Sequence, residues 1–460
     1  MMRSWSLSEL QAPLRASLTG SDRTISGVSI DSRSVRAGEL FVALRGENFD
    51  GHDYLGQVET AGAAAALTSG ETHSALPVLK VEDTQKALGL LGAYNRNAFD
   101  GALVAITGSG GKTTVKNMVY AVLSQKGCTL ATRGNYNNEI GVPLTLLELG
   151  PEHEFAVVEM GAARVGDISW LVELGRPSVA VLLNAMPAHL ASFGSVEEVA
   201  RAKGEIFDGL AARDVAIFNA DQAWAAQWRV RAGEARILDF SLVGSAAICA
   251  SAVKINGMLG TEFIAITPEG DFPVSLQLPG RHNVANALAA IAVGIACGIS
   301  IVDIQQGLAS ATPVAGRLAT IEALGGALLI DDCYNAQPGS VKAAIDLLAL
   351  ADGKRTLVLG AMKELGPDSE ALHIEVAEYA KNAGIDQLWG VGGELRSAIS
   401  AFGDGGYFFT DRQAAIEILA GAFTKGDTVL VKGSRSAGME IVLAAIAADK
   451  PVAGGCTPSW

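Results

Sequence analysis

A glycine-rich stretch, GSGGKTT at residues 108–114, combines residue types that bind phosphate. The apolar run ALVAIT at 102–107 precedes it and predicts a buried strand, and the residues that follow predict a helix. Glycines allow successive backbone N–H groups to face phosphate oxygens, and a helix N-terminus adds positive potential. The stretch therefore predicts a nucleotide-binding loop. The residues expected to contact the nucleotide are Gly108, Ser109, Gly110, Gly111, Lys112, Thr113 and Thr114.

The loop departs from the full P-loop pattern, because Ile106 stands where that pattern requires its first glycine. The strand before the loop, the helix after it and the order Gly-Lys-Thr still favour nucleotide binding over a flexible turn with a surface lysine. We expect Lys112 to neutralise phosphate charge and the Thr113 hydroxyl to ligate Mg²⁺. A second nucleotide-like string, TKGD at 424–427, precedes a predicted strand, which favours a turn there.

Further apolar runs predict the elements that must position this loop. Runs at 155–160, 179–184 and 215–220 predict strands, and residues 165–174 predict a helix between the first two. Strands that alternate with helices indicate an α/β fold with a mostly parallel sheet covered on both faces. After residues 314–318 the alternation restarts with the predicted strands ALLIDD, RTLVLG, QLWGVG and DTVLVKG.

That restart is typical of a separate Rossmann-like C-terminal domain. A chain of 460 residues also exceeds what one hydrophobic core usually organises. We therefore predict three domains, with the nucleotide-binding loop in the central one. The expected boundaries are 1–100, 101–313 and 314–460.

Composition limits the classes of partner. A net charge of −14 opposes binding to nucleic acid or to an anionic membrane surface, because both need clustered cations. Five scattered cysteines without a C-x-x-C pair indicate a reducing compartment and argue against structural zinc. The first residues lack a signal-peptide core, and the Ala- and Gly-rich run at 284–302 predicts a packed core helix rather than a membrane span. We expect a cytoplasmic monomer.

Several other stretches, together with the shortened loop, resemble the Mur ligase family of peptidoglycan synthesis. They span nearly the whole chain in the family's order. The resemblance implies an N-terminal domain that holds the UDP end of the substrate, a central ATPase domain and a C-terminal domain that closes over the site. The stretches are 29–55, NYNNEIGVPLTLL (135–147), VVEMGA, NAMPAHLASFGS (184–195), AKGEIF (202–207), GRHNVANALAA (280–290), DDCYNAQPGSV (331–341), LGAMKELG (359–366) and VLVKGSRSAGME (429–440).

The implied reaction uses ATP and Mg²⁺. ATP phosphorylates the terminal carboxylate of UDP-MurNAc-tripeptide, and the amine of D-Ala-D-Ala attacks the resulting acyl phosphate. Folylpolyglutamate synthases resemble the loop and the GRHNVANALAA helix, but DSRSVRAGELFVALRG has no place in them. The family member that adds a diamino acid usually carries a D-N-P-R string, which is absent here. An alternative from another class is a nucleotide-gated binding protein that performs no ligation.

The resemblance also implies a catalytic set. Lys112 serves the phosphates, and Thr113 with Glu159, at the end of the strand FAVVEM, holds one Mg²⁺. Glu159 could instead cap a helix. His189 resembles the family's second metal ligand, although a lone histidine more often makes a local hydrogen bond. Lys203 matches a position that family members convert to a carbamate, which is an additional metal ligand; from sequence alone it is a lysine on a predicted helix.

Three residues resemble nucleotide contacts in the second half of the chain. Asn283 corresponds to the adenine contact, and its alternative role is the N-cap of the long Ala-rich helix. Arg317 lies at the expected hinge between the second and third domains and would reach the ATP phosphates after closure. Asp332 ends a predicted strand and resembles the ribose contact, with a buried structural aspartate as the alternative.

Three polar groups resemble substrate contacts. The first follows a predicted strand near the N-terminus and is implied to bind the UDP moiety, with a solvated turn as the alternative. The second lies after the P-loop helix and would line the sugar and peptide path, although asparagine is also common where loops need left-handed backbone. The third would meet the carboxylate of the dipeptide. The groups are Asp31, Ser32 and Arg33; Asn135, Asn137 and Asn138; and Lys432, Ser434 and Arg435.

Overall fold

The computed structural model describes residues 3–70, 72, 74–187 and 190–448. It confirms the predicted α/β class, with a three-domain architecture in which each domain is built on its own sheet. The short 3₁₀ helices are Gly51–Tyr54, Glu205–Phe207, Gly257–Leu259, Gly366–Asp368, Gly393–Leu395 and Arg435–Ala437.

The N-terminal region forms a five-stranded sheet in the order β2-β7-β6-β5-β4, and β1 pairs separately with β3. All neighbours in the larger sheet are parallel except β2 and β7. Its strands are β1 Trp5–Ser6, β2 Ser17–Thr19, β3 Thr24–Ile25, β4 Gly27–Ser29, β5 Glu39–Val42, β6 Ala65–Ser69 and β7 Val78–Val81. Its helices are α1 Leu7–Leu14, α2 Leu55–Thr60 and α3 Thr84–Arg96.

The central region contains a six-stranded, wholly parallel sheet in the order β13-β12-β11-β8-β10-β9. Its strands are β8 Ala102–Thr107, β9 Thr129–Ala131, β10 Phe155–Glu159, β11 Val179–Leu182, β12 Val215–Phe218 and β13 Arg236–Ile237. The helices are α4 Lys112–Leu123, α5 Gly141–Leu147, α6 Asp167–Gly175, α7 Leu190–Phe193, α8 Val196–Gly204, α9 Ala225–Arg231, α10 Arg281–Ala296 and α11 Ile301–Ser310.

Both faces of this sheet are buried, which explains why its strands are apolar without alternation. On β8, Val104 and Ile106 join the core shared with α4 and α10, whereas Leu103 and Ala105 join the core on the opposite face. A parallel sheet covered on both faces requires continuous apolar strands of this kind. The predicted strands at 102–107, 155–160, 179–184 and 215–220 are therefore confirmed to within two residues.

A four-stranded sheet next to α10 was not predicted. It has the order β14-β15-β16-β17, in which β15, β16 and β17 are antiparallel. Residues 272–276 alternate between buried and exposed, which is the pattern of a strand with one covered face. The alternation was present in the sequence and could have revealed it. The strands are β14 Phe240–Ser241, β15 Ile248–Ile255, β16 Thr261–Ile266 and β17 Phe272–Leu276.

The Ala- and Gly-rich run at 284–302 belongs to two helices rather than one. Helix α10 ends at Ala296, and α11 begins at Ile301. Gly294 allows the close contact between them, because a Cβ there would lie 2.8 Å from the Ile304 side chain. The prediction of a packed core helix is confirmed for α10. In the part of the chain that the structure describes, no helix is long and apolar enough to cross a membrane.

The C-terminal region forms a second six-stranded sheet in the order β18-β19-β23-β20-β21-β22, parallel except for the edge strand β18. Four of these strands were predicted, and β18 and β22 were not. The strands are β18 Ala319–Glu322, β19 Leu328–Asp332, β20 Arg355–Gly360, β21 Gln387–Val391, β22 Gly406–Phe409 and β23 Thr428–Lys432. The helices are α12 Pro338–Leu348, α13 Ser369–Asn382, α14 Arg396–Phe402, α15 Arg412–Leu419 and α16 Met439–Ile446.

The carboxyl ends of strands from two sheets meet at one cavity. The P-loop follows β8, and Glu159 ends β10 in the central sheet. Asp332 ends β19 and Lys432 ends β23 in the C-terminal sheet. Open α/β sheets bind ligands at this edge, so the topology alone makes the cavity the candidate site.

Candidate nucleotide-binding and catalytic site

The P-loop connects β8 directly to α4, as its sequence predicted. Gly111 is the N-cap of α4 and has a φ of +82°, which side-chain-bearing residues rarely adopt. A Cβ on Gly111 would also lie only 2.7 Å from Oδ1 of Asn286, which comes from α10. Both constraints require glycine here, and the free N–H groups of α4 face the cavity as an anion site.

Residues after β11 hold the loop from the other side. The Gly110 N–H donates to Asn184 Oδ1 at 2.9 Å, and Asn184 Nδ2 donates to the Gly110 carbonyl at 3.1 Å. Ser109 Oγ donates to the Met186 carbonyl at 3.1 Å and accepts from the Met186 N–H at 3.0 Å. These reciprocal bonds hold the loop in its phosphate-binding form. Sequence analysis assigned no role to Asn184, although it is the last residue of a predicted strand.

Lys112 bends back over its own loop. Its Nζ donates to the Gly108 carbonyl at 2.8 Å. Burial lowers the pKa of Lys112; the Glu159 carboxylate opposes this shift, and the Arg317 cation adds to it. Arg317, from the C-terminal region, is therefore close enough to sense the charge of the P-loop lysine. Converging cations of this kind suit a polyanionic ligand such as a nucleotide triphosphate.

Glu159 is 2% exposed and contacts two of the predicted residues. Its Oε2 accepts from the Thr113 hydroxyl at 3.0 Å, and its Oε1 accepts from Asn137 Nδ2 at 2.7 Å. These partners differ from those of a helix-capping carboxylate, because capping would require backbone N–H donors. These bonds therefore argue against the helix-capping alternative for Glu159, and its metal role stays a prediction.

The donor set fits Mg²⁺. Among the described residues, no group of three or more His, Cys, Asp or Glu side chains could hold a metal ion. Mg²⁺ commonly needs only one or two carboxylates, because substrate phosphates and water supply the remaining oxygens. Thr113 and Glu159 offer one hydroxyl and one carboxylate beside the phosphate-binding loop. His189, the second predicted metal ligand, lies outside the described residues.

Lys203 lies on α8 and is 2% exposed. Burial, together with the positive charge of Lys112, lowers its pKa to about 7. The Lys112 ammonium is thus close enough to influence the protonation of Lys203. A substantial fraction of Lys203 is consequently a neutral amine near pH 7, which an ordinary surface lysine is not.

The C-terminal region supplies the opposite wall. The Arg317 guanidinium lies over the Tyr334 ring, 4.2 Å from its centroid. Lys432 Nζ donates to Asp332 Oδ2 at 2.5 Å and to the Asn335 carbonyl at 2.9 Å. Burial raises the pKa of Asp332, and the Lys432 cation opposes that rise. Asp332 is thus a buried ion-pair partner that also lines the cavity, and its role as a ribose contact stays a prediction.

The two walls enclose a cavity of about 500 Å³. Most of the predicted nucleotide residues line it together, although they come from regions far apart in the chain. The predicted residues among its lining are Ser109, Gly110, Gly111, Lys112, Thr113, Thr114, Asn135, Asn137, Glu159, Asn283, Arg317, Asp332 and Lys432.

Three family models match successive parts of the chain. They are described as the Mur ligase family catalytic domain, the Mur ligase middle domain and the Mur ligase glutamate ligase domain. The residues matched are 24–95, 106–294 and 316–435, respectively. The chain belongs to the Mur ligase family.

Named relatives of this Mur ligase agree over nearly their full length. The UDP-N-acetylmuramoyl-tripeptide–D-alanyl-D-alanine ligase of Escherichia coli is 46% identical, over 97% of this chain and 99% of that protein. A crystal structure of MurF from Acinetobacter baumannii has a TM-score of 0.91 at 34% identity, covering 96% of this chain and 98% of its own. MurF from Thermotoga maritima in complex with ADP has a TM-score of 0.80 at 32% identity, covering 90% and 96%.

The predicted UDP contacts lie in the N-terminal region, outside the cavity of this Mur ligase. Arg33 makes a two-pronged ion pair with Asp31, with Nε and Nη2 at 2.9 and 2.8 Å from the two carboxylate oxygens. The guanidinium lowers the pKa of Asp31. The Ser32 carbonyl accepts from Gln57 Nε2 at 3.2 Å. The three residues form an ordered, half-exposed turn with its charges paired internally.

The three asparagines after α4 divide between two roles. Asn135 and Asn137 line the cavity, and Asn137 holds Glu159. Asn138 lies elsewhere: its Oδ1 accepts from the Gly141 and Ile140 N–H groups at 2.9 and 3.3 Å, at the start of α5. None of the three asparagines has a positive φ, so the left-handed alternative does not apply to them.

Asn283 is not an N-cap, because Gly280 occupies that position in α10. Asn283 lies in the first turn, donates to the Pro279 carbonyl at 2.8 Å and accepts from Asn286 Nδ2 at 3.0 Å. His282 also lines the cavity, and burial lowers its pKa to about 4. The histidine is therefore neutral at physiological pH. Asn286 and His282 were not predicted, although both lie in the quoted GRHNVANALAA stretch.

Ser434 and Arg435 lie beyond Lys432 and do not line the cavity. Ser434 is buried, and its N–H donates to the Ala361 carbonyl at 3.1 Å. Arg435 is exposed and lies 3.9 Å from the Glu440 carboxylate. Of the three residues predicted to meet a dipeptide, the structure brings only Lys432 to the cavity.

Proposed function

We propose that this chain joins D-Ala-D-Ala to UDP-MurNAc-tripeptide with ATP, through an acyl phosphate. The observation that carries the proposal is the cavity in which the P-loop and Glu159 face Arg317 and Asp332 from the other domain. A ligase that activates a carboxylate needs this arrangement, because ATP and a second anion must approach each other among cations. The names of the relatives supply the identity of the two substrates.

In the first proposed step, a carboxylate oxygen of the tripeptide attacks the γ-phosphorus of ATP, and the bond to the ADP oxygen breaks. The P-loop N–H groups and Lys112 hold the phosphates, and Arg317 stabilises charge that develops on the transferred group. In the second step, the amine of D-Ala-D-Ala attacks the acyl carbon. Inorganic phosphate leaves with the bonding electron pair, and the nitrogen loses a proton.

Thr113 and Glu159 would hold Mg²⁺, which neutralises phosphate charge when it is bound. His189 and carbamylated Lys203 are the further proposed ligands. The neutral amine of Lys203 can add to the carbon of CO₂, and the loss of one proton leaves a carbamate anion. The pKa of about 7 supports this role, because a protonated amine cannot form that bond.

The proposed domain boundaries are 1–100, 101–313 and 314–460. The remaining proposals assign each part of the ligands to residues of these domains. We assign ribose to Asp332, adenine to Asn283, and the UDP moiety to Asp31, Ser32 and Arg33. The sugar and peptide path is assigned to Asn135, Asn137 and Asn138. The dipeptide is assigned to Lys432, Ser434 and Arg435. We also propose that the protein is a cytoplasmic monomer without nucleic-acid partners. Analytical ultracentrifugation would test the oligomeric state.

The decisive experiment measures phosphate release and product mass with Mg-ATP and UDP-MurNAc-tripeptide. D-Ala-D-Ala is compared with L-glutamate, a diamino acid and no acceptor. We expect release with D-Ala-D-Ala alone, and a product heavier by one dipeptide. Phosphate release with glutamate or a diamino acid would show that the protein is an amide ligase with a different acceptor. Release that no cosubstrate stimulates would favour a nucleotide-gated binding protein.

A further inference from the structure

Lys116 is a buried cation that the proposed mechanism does not use. It lies one turn after Lys112 on α4 and is 4% exposed. A buried ammonium is costly unless its protons find acceptors. Its Nζ donates to the carbonyls of Thr132 and Gly134, at 2.8 and 3.1 Å. These acceptors lie on the loop that leads from β9 to the asparagines of the cavity.

The same loop is bonded to Glu159. The Glu159 N–H donates to Thr132 Oγ1 at 3.0 Å, and Lys116 Nζ lies 4.0 Å from Glu159 Oε2. Asn137, at the end of the loop, donates to the other carboxylate oxygen at 2.7 Å. Lys116, Thr132, Asn137 and Glu159 thus form a closed network in which the lysine holds both the loop and the carboxylate environment.

We propose that Lys116 is a positioning residue: it fixes the 132–137 loop so that Asn137 and Glu159 face the Thr113 hydroxyl. The inference rests on the proposed function, because Thr113 and Glu159 are its metal-binding pair. Lys116 itself is not among the residues that line the cavity. Its ammonium satisfies two loop carbonyls and places a positive charge beside the carboxylate, so the network keeps its geometry before ligands bind.

The test compares Lys116→Met with Lys126→Met. Lys126 is the matched control, because its Nζ also donates to a backbone carbonyl, that of Gly298 at 2.9 Å, but outside the site. Calorimetry measures ADP binding with Mg²⁺ and with EDTA. We expect Lys116→Met to reduce the Mg²⁺-dependent gain in ADP affinity by about 10- to 100-fold. Affinity in EDTA should change little, since the P-loop and Lys112 remain.

Steady-state kinetics give a second readout. In Lys116→Met, kcat should fall and the KM for UDP-MurNAc-tripeptide should rise, while the KM for D-Ala-D-Ala stays constant. Lys126→Met should leave all three unchanged. If Lys116→Met binds ADP and Mg²⁺ as the wild type does, even with a lower melting temperature, the inference is wrong.

A third variant covers the case in which Lys116→Met fails to fold. Thr132→Val removes the hydroxyl that accepts from the Glu159 N–H, and it preserves shape and the Thr132 carbonyl. It should reduce the same Mg²⁺-dependent gain by a smaller factor, and an unchanged gain would contradict the network. The calorimetric test needs neither cosubstrate. A wild-type enzyme that binds ADP but ligates nothing would therefore disprove the proposed function, while the ADP affinities of the variants would still test the role of Lys116.

Discussion

The two walls of the cavity are held in different ways. The central-domain wall is held by neutral hydrogen bonds between the P-loop and the segment after β11, and by the network around Glu159. The C-terminal wall is held by charge: the Asp332–Lys432 ion pair and the Arg317 guanidinium over the Tyr334 ring. The bonds between the P-loop and the segment after β11 are thus uncharged, whereas each of these contacts on the C-terminal wall involves a charged side chain.

Neighbouring parallel strands bring bonded groups together on both walls. β8, β10 and β11 are neighbours in one parallel sheet, so their following segments meet over short distances. The C-terminal wall uses Arg317 from the connection between the sheets and Tyr334 from the segment after β19. Asp332 and Lys432, on the same wall, also end neighbouring parallel strands, β19 and β23, and lie 2.5 Å apart. The two walls therefore differ in the charge of their bonded groups and not in the distance over which the groups act.

The largest effect on catalysis is expected when a positive charge is removed from the central wall. Lys112→Met should lower kcat by about 10²- to 10³-fold, because a cation facing the transferred phosphoryl group is lost. Phosphate release with both cosubstrates measures it. The surface variant Lys126→Met is the control. A loss below fivefold would show that Arg317 and the metal suffice, and that the P-loop lysine is secondary.

A large effect on stability is expected on the C-terminal wall. Asp332→Asn leaves Lys432 buried without its carboxylate and should reduce the free energy of unfolding by about 3 kcal/mol. Asp386→Asn, which breaks the more exposed pair with Arg355, should cost at most about 1 kcal/mol. Urea unfolding measures both. Equal costs would mean that the Asp332–Lys432 pair does not hold its wall.

A smaller effect tests whether the central wall is preformed. Asn184→Ala removes both bonds to Gly110 and should weaken ADP binding by about 1 kcal/mol, or roughly fivefold. Gln305→Ala is the matched control, since it also removes an amide that bonds to backbone, the Pro273 carbonyl at 2.8 Å, but outside the cavity. Calorimetry should show weaker ADP binding for Asn184→Ala alone. Unchanged ADP affinity would indicate that the loop adopts its form without Asn184.

The smallest effect concerns the Arg317 contact. Tyr334→Leu removes the aromatic face and should raise the KM for ATP by a few fold, consistent with about 0.5–2 kcal/mol for a cation–π contact. Tyr334→Phe keeps the ring and should behave as the wild type. If both variants are impaired equally, the phenol hydroxyl rather than the ring is what matters at this wall.

Strands and loops were predicted correctly where residues close together in the sequence determine the structure. The central strands and the α/β class were predicted from apolar runs. The P-loop was predicted from its glycines and from the Gly-Lys-Thr order between a strand and a helix. Helix α10 was also expected, but its end at Ala296 was not, although Gly298, with a φ of +66°, and Ser300, the N-cap of α11, are local signals for a break. The sheet β14–β17 was missed, although its alternation was readable in residues 272–276.

The positions of site residues were predicted best at the ends of strands. They were predicted worst where the role of a side chain depends on its hydrogen-bond partner in the fold. Lys112, Thr113, Glu159, Arg317 and Asp332 meet around one cavity as expected. Asn138 was grouped with Asn137 by proximity in sequence, yet it bonds to the first turn of α5. Asn184 and Lys116 were overlooked, because an asparagine or a lysine alone carries no sign of what it will contact.

The sequence by itself determined the α/β class, the phosphate-binding loop and the family. These depend on local order: apolar periodicity, glycines that permit a tight turn and a lysine beside them. Only the tertiary structure decided that Lys203 is buried with a pKa of about 7, that Lys432 pairs with Asp332, and that Lys116 holds the loop beside Glu159. Burial and ion pairing arise between segments distant in the chain, and no local pattern encodes them.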